Sequence, residues 1–301
     1  MPETDPIEDE VGADESGAAG DEEGWGAHGF LTRLLGWLVK GNEECLEGRG
    51  MECFAVGRDG LGRVLAYKGR MRFTFYGHSC FLLETAGVRV LVDPFFSNNP
   101  AALAAGLTAE GVRADWILVS HGHFDHIADA VGIAVRTGAR VAACYEVTEW
   151  MKARGVSEEC LEPMNVGGAI RTPFGRVRYT VAEHSSTLPD GTSGGVAGGF
   201  LVENAEGTFF YSGDSALTRE FRTLGELYRI DVAALCMGDR FTMGPSEAAV
   251  AARWLRCLRV IGVHYDTWAP IVLDREEAGR VFEEAGVELL LPAPGESVDL
   301  G

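Results

Sequence analysis

Ser120-His121-Gly122-His123-Phe124-Asp125-His126 places three of the chain's seven histidines and an aspartate within seven positions. The heptapeptide follows Trp116-Ile117-Leu118-Val119, an apolar run that reads as a buried strand. The chain leaves that strand at His121 and has to turn before a helix predicted over 126–137. On an extended exit, residues two apart point the same way, so His121 and His123 make a pair of imidazoles. Asp125 and His126 then enter the helix and face a second centre. Imidazoles and carboxylates are donors suited to Zn²⁺, Mn²⁺, Fe or Ni.

One strand exit does not make a metal site, so the other exits matter. Strand 176–183 runs out at His184, strand 208–213 at Asp214, and strand 260–263 at His264. Ligands gather at the carboxyl ends of strands in open α/β sheets. A lone histidine at a strand end is usually a hydrogen-bonded turn residue. Four exits that each carry a metal-capable side chain are hard to explain that way. Further strands are predicted at 71–77, 80–85, 88–94, 139–144, 198–204 and 232–237. Helices are predicted at 146–154, 217–228, 245–257 and 274–285, with Pro245 opening the third of these. The order implies mixed sheets covered by helices, an α/β sandwich.

Composition narrows the function. The chain has 301 residues, 26 basic against 45 acidic, for a net charge of −19. Residues 1–30 hold ten acids and no Lys or Arg, which leaves −9 over the rest. Neither part has the basic footprint of a phosphate-backbone binder, so no nucleic-acid partner is expected. No stretch approaches the roughly 18 apolar residues of a membrane span. The seven cysteines contain no C-x-x-C pair and read as free thiols of a cytoplasmic protein. Residues 1–28 read as a disordered acidic tail and 29–70 as a short helix and hairpin extension. The main domain is then 71–301.

The segments Gly77-His78-Ser79-Cys80-Phe81, Val92-Asp93-Pro94-Phe95, His121–His126, Met164-Asn165-Val166-Gly167-Gly168, Gly213-Asp214, Phe241-Thr242-Met243-Gly244-Pro245 and His264-Tyr265-Asp266-Thr267 occur in that order. Together they resemble the metallo-β-lactamase fold superfamily. Within it they are most similar to a branch of small metal-dependent hydrolases related to sugar-phosphate lactonases. The resemblance spans about residues 71–301 and leaves the N-terminal extension outside. Ser120 stands where that family usually has threonine, and Ser215 likewise follows Asp214 with a hydroxyl. Asp266 and Ala269 replace an expected asparagine and proline.

The resemblance implies an αββα sandwich of two mixed β-sheets flanked by helices. It implies two divalent ions, zinc first, with manganese or iron as alternatives. His121, His123 and His184 would hold one ion, and Asp125, His126 and His264 the other, with Asp214 bridging. Two such ions, two carboxylates and a bridging hydroxide leave the centre at about +1, which favours an anionic or carbonyl group beside the scissile bond. The implied activity is hydrolysis of a small ester, lactone or phosphodiester by a metal-bridging hydroxide. Bound water there has its pKa lowered from 15.7 towards roughly 7.

Asp125 is the catalytic candidate that orients the hydroxide. His78 is a candidate leaving-group acid, with a packing or orienting role as its alternative. Asp93 is expected to hold ligand histidines or nearby backbone in place. Arg240, at another strand exit, is a candidate anion grip, and Ser185 a candidate substrate contact. Ser185 opens a Gly-rich loop at 185–199 that reads as a flexible lid or a long turn. Other readings are a nuclease, a flavo-diiron oxidoreductase and a non-catalytic metal- or metabolite-binding module. The acidic balance disfavours the first. The second usually shows glutamate where this chain has His123. The partner expected is a small molecule, and a homo-oligomer is left open.

Overall fold

The computed structural model describes residues 70–301. The predicted tail, and the helix and hairpin expected before Arg70, lie outside the described residues. Among these residues, fourteen strands form two seven-stranded sheets. The first contains β1 (Arg72–Gly77), β2 (Cys80–Thr85), β3 (Val88–Val92), β4 (Trp116–Leu118), β5 (Arg140–Cys144), β6 (Leu161–Met164) and β14 (Ser297–Asp299), in the order β14-β1-β2-β3-β4-β5-β6. The second contains β7 (Ala169–Thr172), β8 (Gly175–Val181), β9 (Gly198–Asn204), β10 (Gly207–Tyr211), β11 (Val232–Cys236), β12 (Arg259–Val263) and β13 (Glu288–Leu290), ordered by number.

Each sheet runs through antiparallel pairings and then parallel ones. In the first, β14, β1, β2 and β3 are antiparallel and β3 to β6 parallel. In the second, β7 to β10 are antiparallel and β10 to β13 parallel. The two halves therefore match strand for strand. β3 and β10 occupy equivalent places and are followed by Asp93 and Asp214. β1 and β8 are likewise equivalent, and lead to His78 and His184.

The sheets meet through aromatic side chains. Phe73 on β1 and Phe81 on β2 pack on Phe209 of β10 with ring centroids 6.3 and 5.9 Å apart. Phe81 also meets Tyr211 edge-on at 5.3 Å. All four rings are buried, and burial of such apolar area is the main force holding the sheets together.

Among the described residues, seven α-helices accompany the sheets: α1 (Pro100–Ala104), α2 (Phe124–Ile127), α3 (Ala130–Thr137), α4 (Tyr145–Lys152), α5 (Glu220–Leu227), α6 (Pro245–Trp254) and α7 (Arg275–Glu284). The single helix expected over 126–137 is two. The first starts at Phe124, and the chain breaks at Asp129, whose carboxylate accepts from Phe96 N at 2.6 Å and Ser97 N at 3.0 Å. That carboxylate ties the break to the loop after β3 and so cannot cap α3. No helix among the described residues is long and apolar enough to cross a membrane.

Candidate metal centre

The loops after β1, β3, β4, β8, β10 and β12 carry the chemistry-bearing residues to one place. Each exit needs a sharp change of direction, and three non-glycine residues there adopt the left-handed region: His78 (φ 58), Asp93 (φ 44) and His264 (φ 60). Such conformations cost about 1–3 kcal/mol each and persist where surrounding bonds hold them. One such bond runs from His264 N to His78 O at 2.7 Å and joins exits from the two sheets. Before Asp214 the turn is made by Gly213 (φ 60). A Cβ on Gly213 would lie 2.2 Å from the Gly198 carbonyl oxygen, so no other residue fits there.

Three groups of potential ligand atoms result, each with its atoms within 4.8 Å of one another. His121, His123 and His184 form one. His78, Asp125, His126 and His264 form the second. His121, His126 and Asp214 form the third and connect the other two. Asp214 Oδ2 is 2.9 Å from His264 Nε2, 3.3 Å from His126 Nε2 and 3.6 Å from His184 Nε2. His121 Nε2 and His123 Nδ1 face each other at 3.0 Å. Two imidazoles sharing a tetrahedral zinc at its usual bond length have their nitrogens about 3.3 Å apart.

The supporting bonds aim these atoms. Asp93 accepts from His126 Nδ1 at 2.7 Å, Ser120 N at 2.7 Å, Ser120 Oγ at 2.6 Å and Tyr211 Oη at 2.6 Å. The Nδ1 proton of His126 is thus committed to Asp93, and Nε2 points into the cluster. Ser120 Oγ, having donated to Asp93, is left to accept from His121 Nδ1 at 3.0 Å. The serine hydroxyl therefore serves where threonine was the family expectation. Ser215 Oγ accepts from Glu183 N at 3.1 Å and so links the exits that carry His184 and Asp214.

Electrostatics favour a cation here. Burial works against a charged His126, yet Asp214, Asp93 and Asp125 around it outweigh burial and hold its pKa well above the usual value. Burial likewise opposes charge on Asp214, but His126 and His264 keep its pKa well below the carboxylate range. Burial lowers the pKa values of His121, His123 and His184, which leaves them neutral and able to bind metal. His126 Nε2 and Asp214 Oδ1 are buried and lack a hydrogen-bond partner among the described residues. Buried polar atoms are almost always satisfied, so a pair of orphans between neutral imidazoles fits a divalent ion.

His78 is fully buried, with both ring nitrogens engaged. Nε2 lies 3.0 Å from Asp125 Oδ2, and Nδ1 lies 2.7 Å from Thr267 Oγ1. Burial, helped by His264, pushes its pKa down to about 4. The neutral ring therefore donates from Nε2 to the carboxylate and accepts from Thr267. Thr267 had no role assigned from sequence, because nothing local connects it to a histidine 189 positions away. Asp266 clasps the same loop: it accepts from Leu273 N at 2.8 Å and pairs with Arg275 at 2.7 Å.

Ser185 Oγ is 3.3 Å from His123 Nε2 and is exposed. Arg240 is also exposed, and its guanidinium makes no hydrogen bond or ion pair among the described residues. The segment after His184 is tied to its neighbours by side-chain hydrogen bonds. Ser186 Oγ accepts from Gly122 N at 3.0 Å, Cys144 Sγ donates to Gly194 O at 2.8 Å, and Asp190 accepts from Trp150 and Arg154, both at 2.8 Å.

Residues 72–264 match the family model described as the beta-lactamase superfamily domain. A UPF0173 metal-dependent hydrolase of Methylacidiphilum infernorum is 45% identical over 230 residues, 76% of this chain and 100% of the relative. The chain belongs to the UPF0173 metal-dependent hydrolases. A UPF0173 hydrolase of Methanopyrus kandleri is 42% identical over 234 residues, again 76% of this chain and 100% of the relative. Among solved structures, Igni18, a metallo hydrolase of Ignicoccus hospitalis, superposes with a TM-score of 0.69 at 30% identity and covers 77% of this chain and 99% of its own. This UPF0173 chain thus has the metallo-β-lactamase fold, with a candidate His/Asp metal site at the strand exits.

Proposed function

We propose that this metal-dependent hydrolase works with two divalent ions, zinc first, on a small ester, lactone or phosphodiester. One ion would sit among His121, His123 and His184, and the other among Asp125, His126 and His264, with Asp214 shared. The observation that carries this reading is the meeting of the two ligand sets at Asp214, whose Oδ1 is buried and unpartnered beside the equally unpartnered His126 Nε2. When bound, the ions supply hydroxide at neutral pH from water whose pKa they lower to roughly 7, and they polarise the substrate oxygen.

The chain's own residues do the rest. Asp125 orients the attacking water and accepts its proton. His78 donates to Asp125 and is held by Thr267, so it fixes the carboxylate's direction. With both nitrogens occupied and no exposed edge, His78 is a poor source of the leaving-group proton. Asp125 is then the group that returns it. Asp93 and Ser120 hold the imidazoles in the tautomers that leave the ligating nitrogens bare. Ser185 stands at the mouth beside His123 and is placed to meet the substrate.

The test is a panel of esters, lactones, phosphodiesters and thioesters offered to protein loaded with zinc, manganese or iron. Turnover of at least one class, abolished by chelator and by His123→Ala, is expected. Fully loaded, folded protein that turns over none of them would favour the non-catalytic metal-binding alternative.

A further inference from the structure

Phe124 is the one residue of the 120–126 heptapeptide whose side chain faces solvent, at 51% exposure. It lies between His123 and Asp125, two residues of the cluster that keep some exposed surface. His123 is half-buried, and the side chains of His184 and Asp125 are 14% and 12% exposed. A phenyl ring half exposed to water beside metal-capable ligands forgoes hydrophobic stabilisation.

The ring is firmly backed. Phe124, Phe95 and Trp268 form a triangle with centroid separations of 5.8, 6.0 and 6.2 Å. Phe95 is fully buried and follows β3 of the first sheet, whereas Trp268 follows β12 of the second. Trp268 also meets the His78 ring edge-on at 5.0 Å. A chain of aromatic rings, set at 44° to 90° to one another, therefore runs from beside His78 in the interior to the exposed Phe124. Ser185 flanks the mouth at His123, and among the described residues Asp125 and Asp214 form ion pairs only with histidines.

We propose that Phe124, backed by Trp268 and Phe95, forms the wall against which a planar apolar group of the substrate rests, next to the bond that is hydrolysed. The substrate class is then an ester, lactone or phosphodiester with an aryl or similarly flat apolar substituent, not a wholly polar sugar derivative. This inference rests on the metal-centre reading above, since that centre places the scissile group.

Hydroxamates test it without turnover, because the hydroxamate head takes the metal and the substituent reports the wall. Zinc-loaded full-length protein is titrated with benzohydroxamate and acetohydroxamate, as wild type, Phe124→Ala and Phe124→Tyr. Wild type should bind the phenyl compound at least about tenfold tighter than the methyl one, the scale of one good aromatic contact plus its buried area. Phe124→Ala should cut that ratio about fivefold or more and leave acetohydroxamate affinity within about twofold, and Phe124→Tyr should restore the ratio. An unchanged ratio in Phe124→Ala overturns the wall alone. So does an equal weakening of both compounds, which would mean that Phe124 acts on the ligands instead. If neither hydroxamate binds wild type, the metal-centre reading has failed and the wall falls with it.

Discussion

Four donors converge on the buried Asp93 carboxylate: His126 Nδ1, Ser120 N, Ser120 Oγ and Tyr211 Oη. Asp93 faces the back of the ligands, yet it sets the tautomer of His126 and, through Ser120, that of His121. Asp93→Asn keeps the shape but replaces an acceptor of four bonds with a group that can accept fewer. Asparagine also tolerates the left-handed backbone found at this position. Metal affinity should fall about 10- to 100-fold, read by chelator competition, with the circular dichroism of the folded protein retained. An unchanged affinity would remove Asp93 from the account. Its supporting role was legible in sequence, since an aspartate closing an apolar strand before proline seldom has another task. Tyr211 and Thr267 were not legible. The first reads as one more strand aromatic, and the second reaches His78 only through tertiary structure.

The exit from β10 depends on one small turn. At Gly213 a left-handed backbone and a 2.2 Å approach to the Gly198 carbonyl coincide. Gly213→Ala incurs both the left-handed penalty, about 1–2 kcal/mol, and the overpacking penalty of about 1–3 kcal/mol. Urea unfolding should show a loss of more than about 2 kcal/mol; a loss under about 0.5 kcal/mol would mean that the turn relaxes freely. Most long strands were legible because apolar residues run unbroken or alternate through them. Four strands were missed, β6, β7, β13 and β14, each only three or four residues long and so too short to show a periodicity. β6 is Leu-Glu-Pro-Met, and β14 is Ser-Val-Asp. The five-residue α1 was missed too, its start set by Asn99, whose side chain accepts from Ala101 N and Ala102 N. The break between α2 and α3 escaped notice because Asp129 looks like any polar residue on a helix until Phe96 and Ser97 are beside it.

At the scale of the molecule, two halves with the same pairing pattern place Asp93 and Asp214, and His78 and His184, at equivalent exits. The repeat is invisible in sequence, where the paired segments share little beyond these side chains. The converging histidines also set how the ion-free protein responds to acid. His78, His121, His123 and His184 have lowered pKa values from burial, so the unfolded chain takes up protons near pH 6.5 that the folded chain refuses. Their contribution is present above that pH and is lost as the pH falls through it. His126, raised by its carboxylates, acts in the opposite direction, but it is one against four. Asp214 and Asp125, both lowered despite burial, add a further loss as the pH drops through the carboxylate range. The melting temperature of chelator-treated protein should therefore fall steadily from pH 7.5 to 5. A rise over that interval would contradict the burial of neutral imidazoles.

The most direct test of the paired-ion centre is the number of divalent ions retained per folded chain after loading and dialysis, in wild type, His123→Ala and His264→Ala. The account predicts about two ions in wild type and a loss of metal in each variant, with His123→Ala emptying the His121–His184 side and His264→Ala the Asp125–His126 side. Wild type that holds no tightly bound ion, or variants that retain both, would contradict it.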